Sequence, residues 1–105
     1  MLFRSKENGE VLEFEGLKLE LQTFKSFINN TEIELTLKEF NILKTLIEKY
    51  PQVITREGLL DDIWGYDYYG DTRIVDAHIK NLRKKIGVSY IKTVKGIGYT
   101  LEKGI

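Results

Sequence analysis

A chain of 105 residues is long enough for one domain, and 42% hydrophobic with 30% charged residues is globular rather than disordered composition. It has no cysteine, which excludes disulfide staples, Cys-type zinc fingers and thiol nucleophiles. Its apolar runs fall far short of the roughly 18–20 residues that cross a bilayer, and the opening MLFRSKENGE lacks an apolar signal core, so a cytoplasmic location is expected. Formal net charge is zero, yet residues 1–71 hold 8 Lys+Arg against 14 Asp+Glu and residues 72–105 hold 8 against 2, a swing from −6 to +6. Segregation of that kind steers a polyanion to one end of a neutral molecule. A solvated lysine-rich helix would leave the same trace.

In chain order, residues 1–10 read as a linker or tail remnant and 11–105 as the domain. Val11, Leu12 and Phe14 precede Glu15-Gly16; Leu17, Leu19 and Leu21 then alternate with polar residues, a half-buried β pattern. Phe24–Ile28 meets the turn signal Asn29-Asn30 before Thr31–Leu35. Three or four short antiparallel strands are predicted. At Thr36 the period changes to that of a helix. Thr36 and Glu39 fit a capping box, Ile42, Leu43, Leu46, Ile47 and Tyr50 recur at helical spacing, and Pro51 stops the run. Val53-Ile54 reads as an apolar link, after which Thr55 caps a second helix carrying Leu59, Leu60, Ile63 and Trp64, ended by Gly65.

The loop 65–71 is rich in Tyr, Asp and Gly. Asp71 or Thr72 caps a third helix that runs to Ile86, with Gly87 as its stop. Tyr90–Val94 and Tyr99–Glu102 then flank a hairpin tip, Lys95–Gly98. Strands, three helices and a hairpin make an α+β domain.

On the third helix Val75, Ile79, Leu82 and Ile86 share a narrow sector at about 100° per residue. Arg73, Ala77, Lys80, Asn81 and Lys84 lie opposite, with Asp76 and Arg83 on one flank and His78 and Lys85 on the other. A helix entering a major groove wants that mixture of phosphate-binding cations, a small residue for close approach, and an amide able to pair with adenine. A merely solvated face would mix Glu with Lys. Lys95 at a glycine-flanked tip adds a second projecting cation that could reach a minor groove.

The segments TLKEFNILKTLI, ITREGLLDDIW, GYDYYGD, RIVDAHIKNLRKKI and IKTVKGIGYTL together resemble the OmpR/PhoB-type winged-helix effector domain of two-component response regulators. The resemblance begins near Val11 and keeps the motif order. It implies a winged helix-turn-helix: an N-terminal antiparallel sheet, a three-helix core and a C-terminal β-hairpin wing. It implies double-stranded DNA as partner, with Ala77, Lys80, Asn81 and Lys84 in the major groove, Arg73, His78, Arg83 and Thr93 on phosphates, and Lys95 as the wing residue in the minor groove. Tyr66, Asp67, Tyr68 and Tyr69 fall where such domains touch RNA polymerase. No cofactor and no catalysis are implied. In that family such domains pair head-to-tail on direct repeats when a histidine kinase phosphorylates their receiver; no receiver is present in these residues, and the chain is expected to be a monomer in dilute solution. Members often carry arginine at the positions of Asn81 and Lys95; asparagine shifts the base preference toward adenine.

Two other readings compete. The tyrosine loop 65–71 suits a protein-interaction module, since aromatic residues are enriched at interfaces. Asp61, Asp62, Asp67 and Asp71 could hold Mg²⁺ in a metal-dependent nuclease if they converged. His78, the only histidine, has no nucleophile partner in sequence.

Overall fold

The computed structural model describes residues 2–5, 9–65, 68, 70–87 and 90–103. The chain opens with a five-stranded antiparallel meander: β1 (Leu2–Ser5), β2 (Gly9–Phe14), β3 (Leu17–Glu20), β4 (Lys25–Ile28) and β5 (Thr31–Ile33), paired in that order. The sheet begins earlier than the sequence suggests. β1 pairs with β2 from Leu2 opposite Leu12 to Ser5 opposite Gly9, so residues expected as a linker are part of the sheet. Four residues are too few to show an alternation; it is the pairing with β2 that makes them a strand.

Two turns follow from local chemistry. Glu15-Gly16 and Asn29-Asn30 have φ of 48° and 87°, and of 49° and 69°. Positive φ at both central residues is the two-residue hairpin geometry that matches strand twist, and asparagine and glycine tolerate it best.

Three helices follow, packed on one another, the first of them against β2. α1 (Leu37–Lys49) starts with the predicted capping box: Thr36 Oγ1 accepts the Glu39 amide at 3.2 Å, and Glu39 Oε1 accepts the Thr36 amide at 2.9 Å. α2 (Arg56–Trp64) is capped by Thr55, whose hydroxyl accepts the Gly58 amide at 2.9 Å. α3 (Arg73–Ile86) has Thr72 at its N-cap without a side-chain bond; Asp71 supplies it instead, accepting the Arg73 amide at 2.9 Å. The core joins Leu12, Phe14, Leu17 and Leu19 of the sheet to Ile42, Leu43, Leu46, Leu59 and the inner stripe of α3.

A second sheet completes the fold. β7 (Ile91–Val94) and β8 (Gly98–Leu101) form the hairpin, and β6 (Ile54–Thr55) adds to the free side of β8, so the order is β6-β8-β7. Ile54, expected in a link, pairs with Tyr99, and Thr55 pairs with Gly98. Two residues take a strand conformation here because a strand far along the chain supplies their hydrogen bonds, a signal absent from local sequence. The same pairing explains Gly98: a Cβ there would lie 2.0 Å from the backbone oxygen of Ile54.

Candidate nucleic-acid interface

The 3.6-residue period of α3 decides which side chains point outward. Val75, Ile79, Leu82 and Ile86 are between 0% and 3% exposed and hold the helix on the core. Arg73, Ala77, Lys80, Asn81 and Lys84 are all exposed on the opposite face. The predicted major-groove set, Ala77, Lys80, Asn81 and Lys84, is therefore brought together on one surface. Among the described residues none of these four side chains has an ion pair or side-chain hydrogen bond. Their charge and hydrogen-bonding capacity are left to solvent or to a ligand.

The cations around that face are treated differently. Arg73 Nη2 lies 2.7 Å from Asp71 Oδ2. The guanidinium hydrogen bond and the Arg73 amide hold the Asp71 carboxyl below its usual range. Both side chains are exposed, so this pair is weak and exchangeable. Lys85 turns away to Glu39, with Nζ 2.7 Å from Oε1 of a carboxylate only 3% exposed. Burial raises the Glu39 carboxyl, but the Lys85 bond and charge and the Thr36 amide outweigh it, so its pKa is lowered.

His78 is half-buried beside Trp64, the ring centroids 5.1 Å apart and edge-on. Its Nδ1 is 2.9 Å from Ile74 O. A carbonyl only accepts, so Nδ1 carries a proton and Nε2 is the remaining ring nitrogen. Trp64 is partly buried against the core, as expected for an apolar position of α2, with Lys38 Nζ 5.0 Å from its ring centroid. Tyr68 is 38% exposed, with its ring 6.5 Å from that of Trp64. Tyr66, Asp67 and Tyr69 lie outside the described residues.

The flank of α3 that faces the second sheet carries a polar cluster with no local sequence signal. Asp76 Oδ1 accepts Arg56 Nε at 2.8 Å and also the Tyr99 hydroxyl. Burial raises the Asp76 carboxyl, while the Tyr99 and Arg56 hydrogen bonds pull it down further, and the net shift is downward. Tyr99 is raised by burial and by that carboxylate. Arg83 donates through Nε and Nη2 to Ile91 O, and through Nη2 to Thr93 Oγ1 at 2.7 Å. The guanidinium expected on a phosphate is thus bonded to the hairpin. Arg56 and Tyr99 escaped sequence reading because they meet α3 from distant elements.

Lys95 is exposed at the tip between β7 and β8, next to Gly96 at φ 77° and Ile97, 54% exposed. Lys92, exposed on β7, adds a cation that periodicity did not single out. An outward helix side and a hairpin tip are thus both exposed and cationic.

For the nuclease reading, no group of three His, Asp or Glu side chains placed to hold a metal ion exists among the described residues. Asp71 is engaged by Arg73. Nor is any helix among the described residues long and apolar enough to cross a membrane.

Residues 30–101 match the family described as transcriptional regulatory protein, C terminal. The regulatory protein VanRB of Enterococcus faecalis is 44% identical over 105 residues, all of this chain and 48% of that protein. The chain spans about half the length of the curated relatives it matches. Among solved structures, the response regulator DrrB, a Thermotoga maritima OmpR/PhoB homolog, superposes with a TM-score of 0.79 at 37% identity, covering 90% of this chain and 44% of that one. The Klebsiella pneumoniae RstA DNA-binding domain in complex with the RstA box gives 0.78 at 28% identity, covering 87% and 95%.

Proposed function

The chain belongs to the family of C-terminal domains of transcriptional regulatory proteins, and on that premise we propose that it is the sequence-specific DNA-binding output domain of a two-component response regulator. The observation that carries this reading is the outward face of α3, where Lys80, Asn81, Lys84 and Ala77 stand clear of any internal partner among the described residues. Lys80 and Lys84 draw the helix into a major groove, Ala77 allows close approach, and Asn81 pairs with a base, adenine being the best match. Lys95 enters the adjacent minor groove, and Arg73 leaves Asp71 for a phosphate. Thr93 contributes its hydroxyl and His78 its Nε2, which donates only when the ring is doubly protonated. The domain acts by binding in the cytoplasm, without catalysis or cofactor.

A single module of this size covers on the order of 600–1,000 Å² of DNA, so useful affinity needs two copies on neighbouring half-sites. The domain is a monomer in solution and pairs on direct repeats, under control of a kinase acting on a receiver that these residues do not include. The loop 65–71, with Tyr66, Asp67, Tyr68 and Tyr69, contacts RNA polymerase; the exposed ring of Tyr68 supports a protein contact there.

Selection from a random duplex library tests the reading. The expected product is a direct repeat with half-sites about one helical turn apart. Enrichment of no sequence would reduce the basic face to an electrostatic patch and leave the tyrosine loop as the functional surface.

A further inference from the structure

Asp76 and Arg83 stand seven residues apart on one flank of α3, two turns and about 10.5 Å along the axis. Each holds the second sheet. At the N-terminal end the Tyr99 hydroxyl of β8 donates to Asp76, which Arg56 also grips. At the C-terminal end Arg83 forks onto Ile91 O and reaches Thr93 Oγ1, both on β7. The Tyr99 ring centroid lies 5.8 Å from the Arg56 guanidinium and 5.9 Å from that of Arg83, which joins the two attachments. β8 is held by β6 and by buried Tyr99 and Leu101, so what the second attachment at Arg83 steadies is the edge strand β7 and the tip beyond it.

We infer that Arg83 is a positioning residue, which fixes the wing at a set angle to the recognition helix and presets Thr93 as an outward donor. The inference rests on the proposed DNA-binding function. A threonine hydroxyl has one hydrogen and two lone pairs. Accepting from Arg83 occupies a lone pair and turns the hydroxyl hydrogen away from the cation, so it is ready for an anionic oxygen. The fork explains why arginine rather than lysine suits this position: a point charge cannot bond two acceptors in fixed directions. Lys95, beyond Thr93 on the same hairpin, then reaches its groove at no further ordering cost, because the wing is already placed.

A double-mutant cycle tests this on the duplex that the domain selects, using Arg83→Met, Lys95→Ala and the pair. Lys95→Ala is expected to weaken binding about tenfold in the wild-type background and less than about threefold beside Arg83→Met, because an unheld wing no longer delivers its lysine. An equal penalty in both backgrounds would mean that Arg83 touches DNA independently, and would overturn the inference. Amide exchange without DNA gives a second readout: Arg83→Met should speed exchange in residues 91–101 while α1 amides keep wild-type protection. If Arg83→Met does not fold, Arg83→Lys, which keeps the charge but lacks the fork, takes its place in the cycle; a reduced Lys95 penalty supports the inference there too, and an equal one overturns it. A wild-type domain that prefers no duplex would sink the DNA-binding reading, and the exchange result would still decide whether Arg83 holds the wing.

Discussion

Ser26 sits in β4 opposite Leu19 and Ile33, 2% exposed, its hydroxyl without a hydrogen-bond partner among the described residues. A buried, unsatisfied hydroxyl costs free energy that a methyl group does not. Ser26→Ala should therefore raise stability, by about 1 kcal/mol in urea unfolding. Gly98 carries the opposite expectation. In the sequence it is one more glycine of a hairpin tip, but its missing side chain makes room for the Ile54 carbonyl. The atom in the way is backbone and cannot rotate aside, so Gly98→Ala should cost about 3 kcal/mol in the same assay. Neither residue advertises itself in the sequence, because in each case the neighbour that matters comes from another strand.

Helix ends behave as the residue types at them dictate. Thr36, Glu39 and Thr55 form the caps that their spacing predicts, since capping is decided within three or four residues. α3 differs in a detail: Asp71 rather than Thr72 takes the amide, because Thr72 has helical φ and ψ that aim its hydroxyl elsewhere. Glu39 and Asp76 connect elements as well as stabilising their own. Glu39 links α1 to α3 through Lys85, and Asp76 links α3 to α2 and β8. Both carboxyls hold their protons less tightly in the folded domain than in the unfolded chain, where they titrate near about 3.9 for Asp and 4.3 for Glu. Their contribution to stability is complete above that range and is lost as pH falls through their lower folded values. Urea midpoints should drop steeply between about pH 5 and pH 2, and Asp76→Asn should flatten part of that slope.

At the scale of the whole molecule, neutrality hides a dipole of sequence: −6 in residues 1–71 and +6 in residues 72–105. The fold converts that division into a surface. Asp76, one of the two acids in residues 72–105, is bound to Arg56 and Tyr99, while Lys80, Lys84, Lys92 and Lys95 carry no ion pair among the described residues. Binding to a duplex should consequently weaken linearly in log salt despite the zero net charge, and Arg73→Ala, which removes the cation proposed to reach a phosphate, should lessen the slope by about 0.9. A titration of affinity from about 50 to 200 mM salt checks this, and a salt-independent affinity would contradict it.

Periodicity, caps and turn residues made most of the architecture legible, because each is written within a few residues: the capping box at Thr36, the positive-φ pair Asn29-Asn30, and the stripe Val75, Ile79, Leu82, Ile86 that places Lys80, Asn81 and Lys84 outward. The sign change near Asp71 marked the charged end in the same way, since charge is counted rather than folded. Long-range pairing was not legible. β1, the joining of Ile54 to Tyr99, and the grip of Arg83 on Ile91 and Thr93 depend on strands and helices whose approach no local pattern encodes. Hydrogen-bond partners far apart in the chain are chosen when the hydrophobic core closes, and only that closure turns an exposed-looking arginine into the strut between recognition helix and wing.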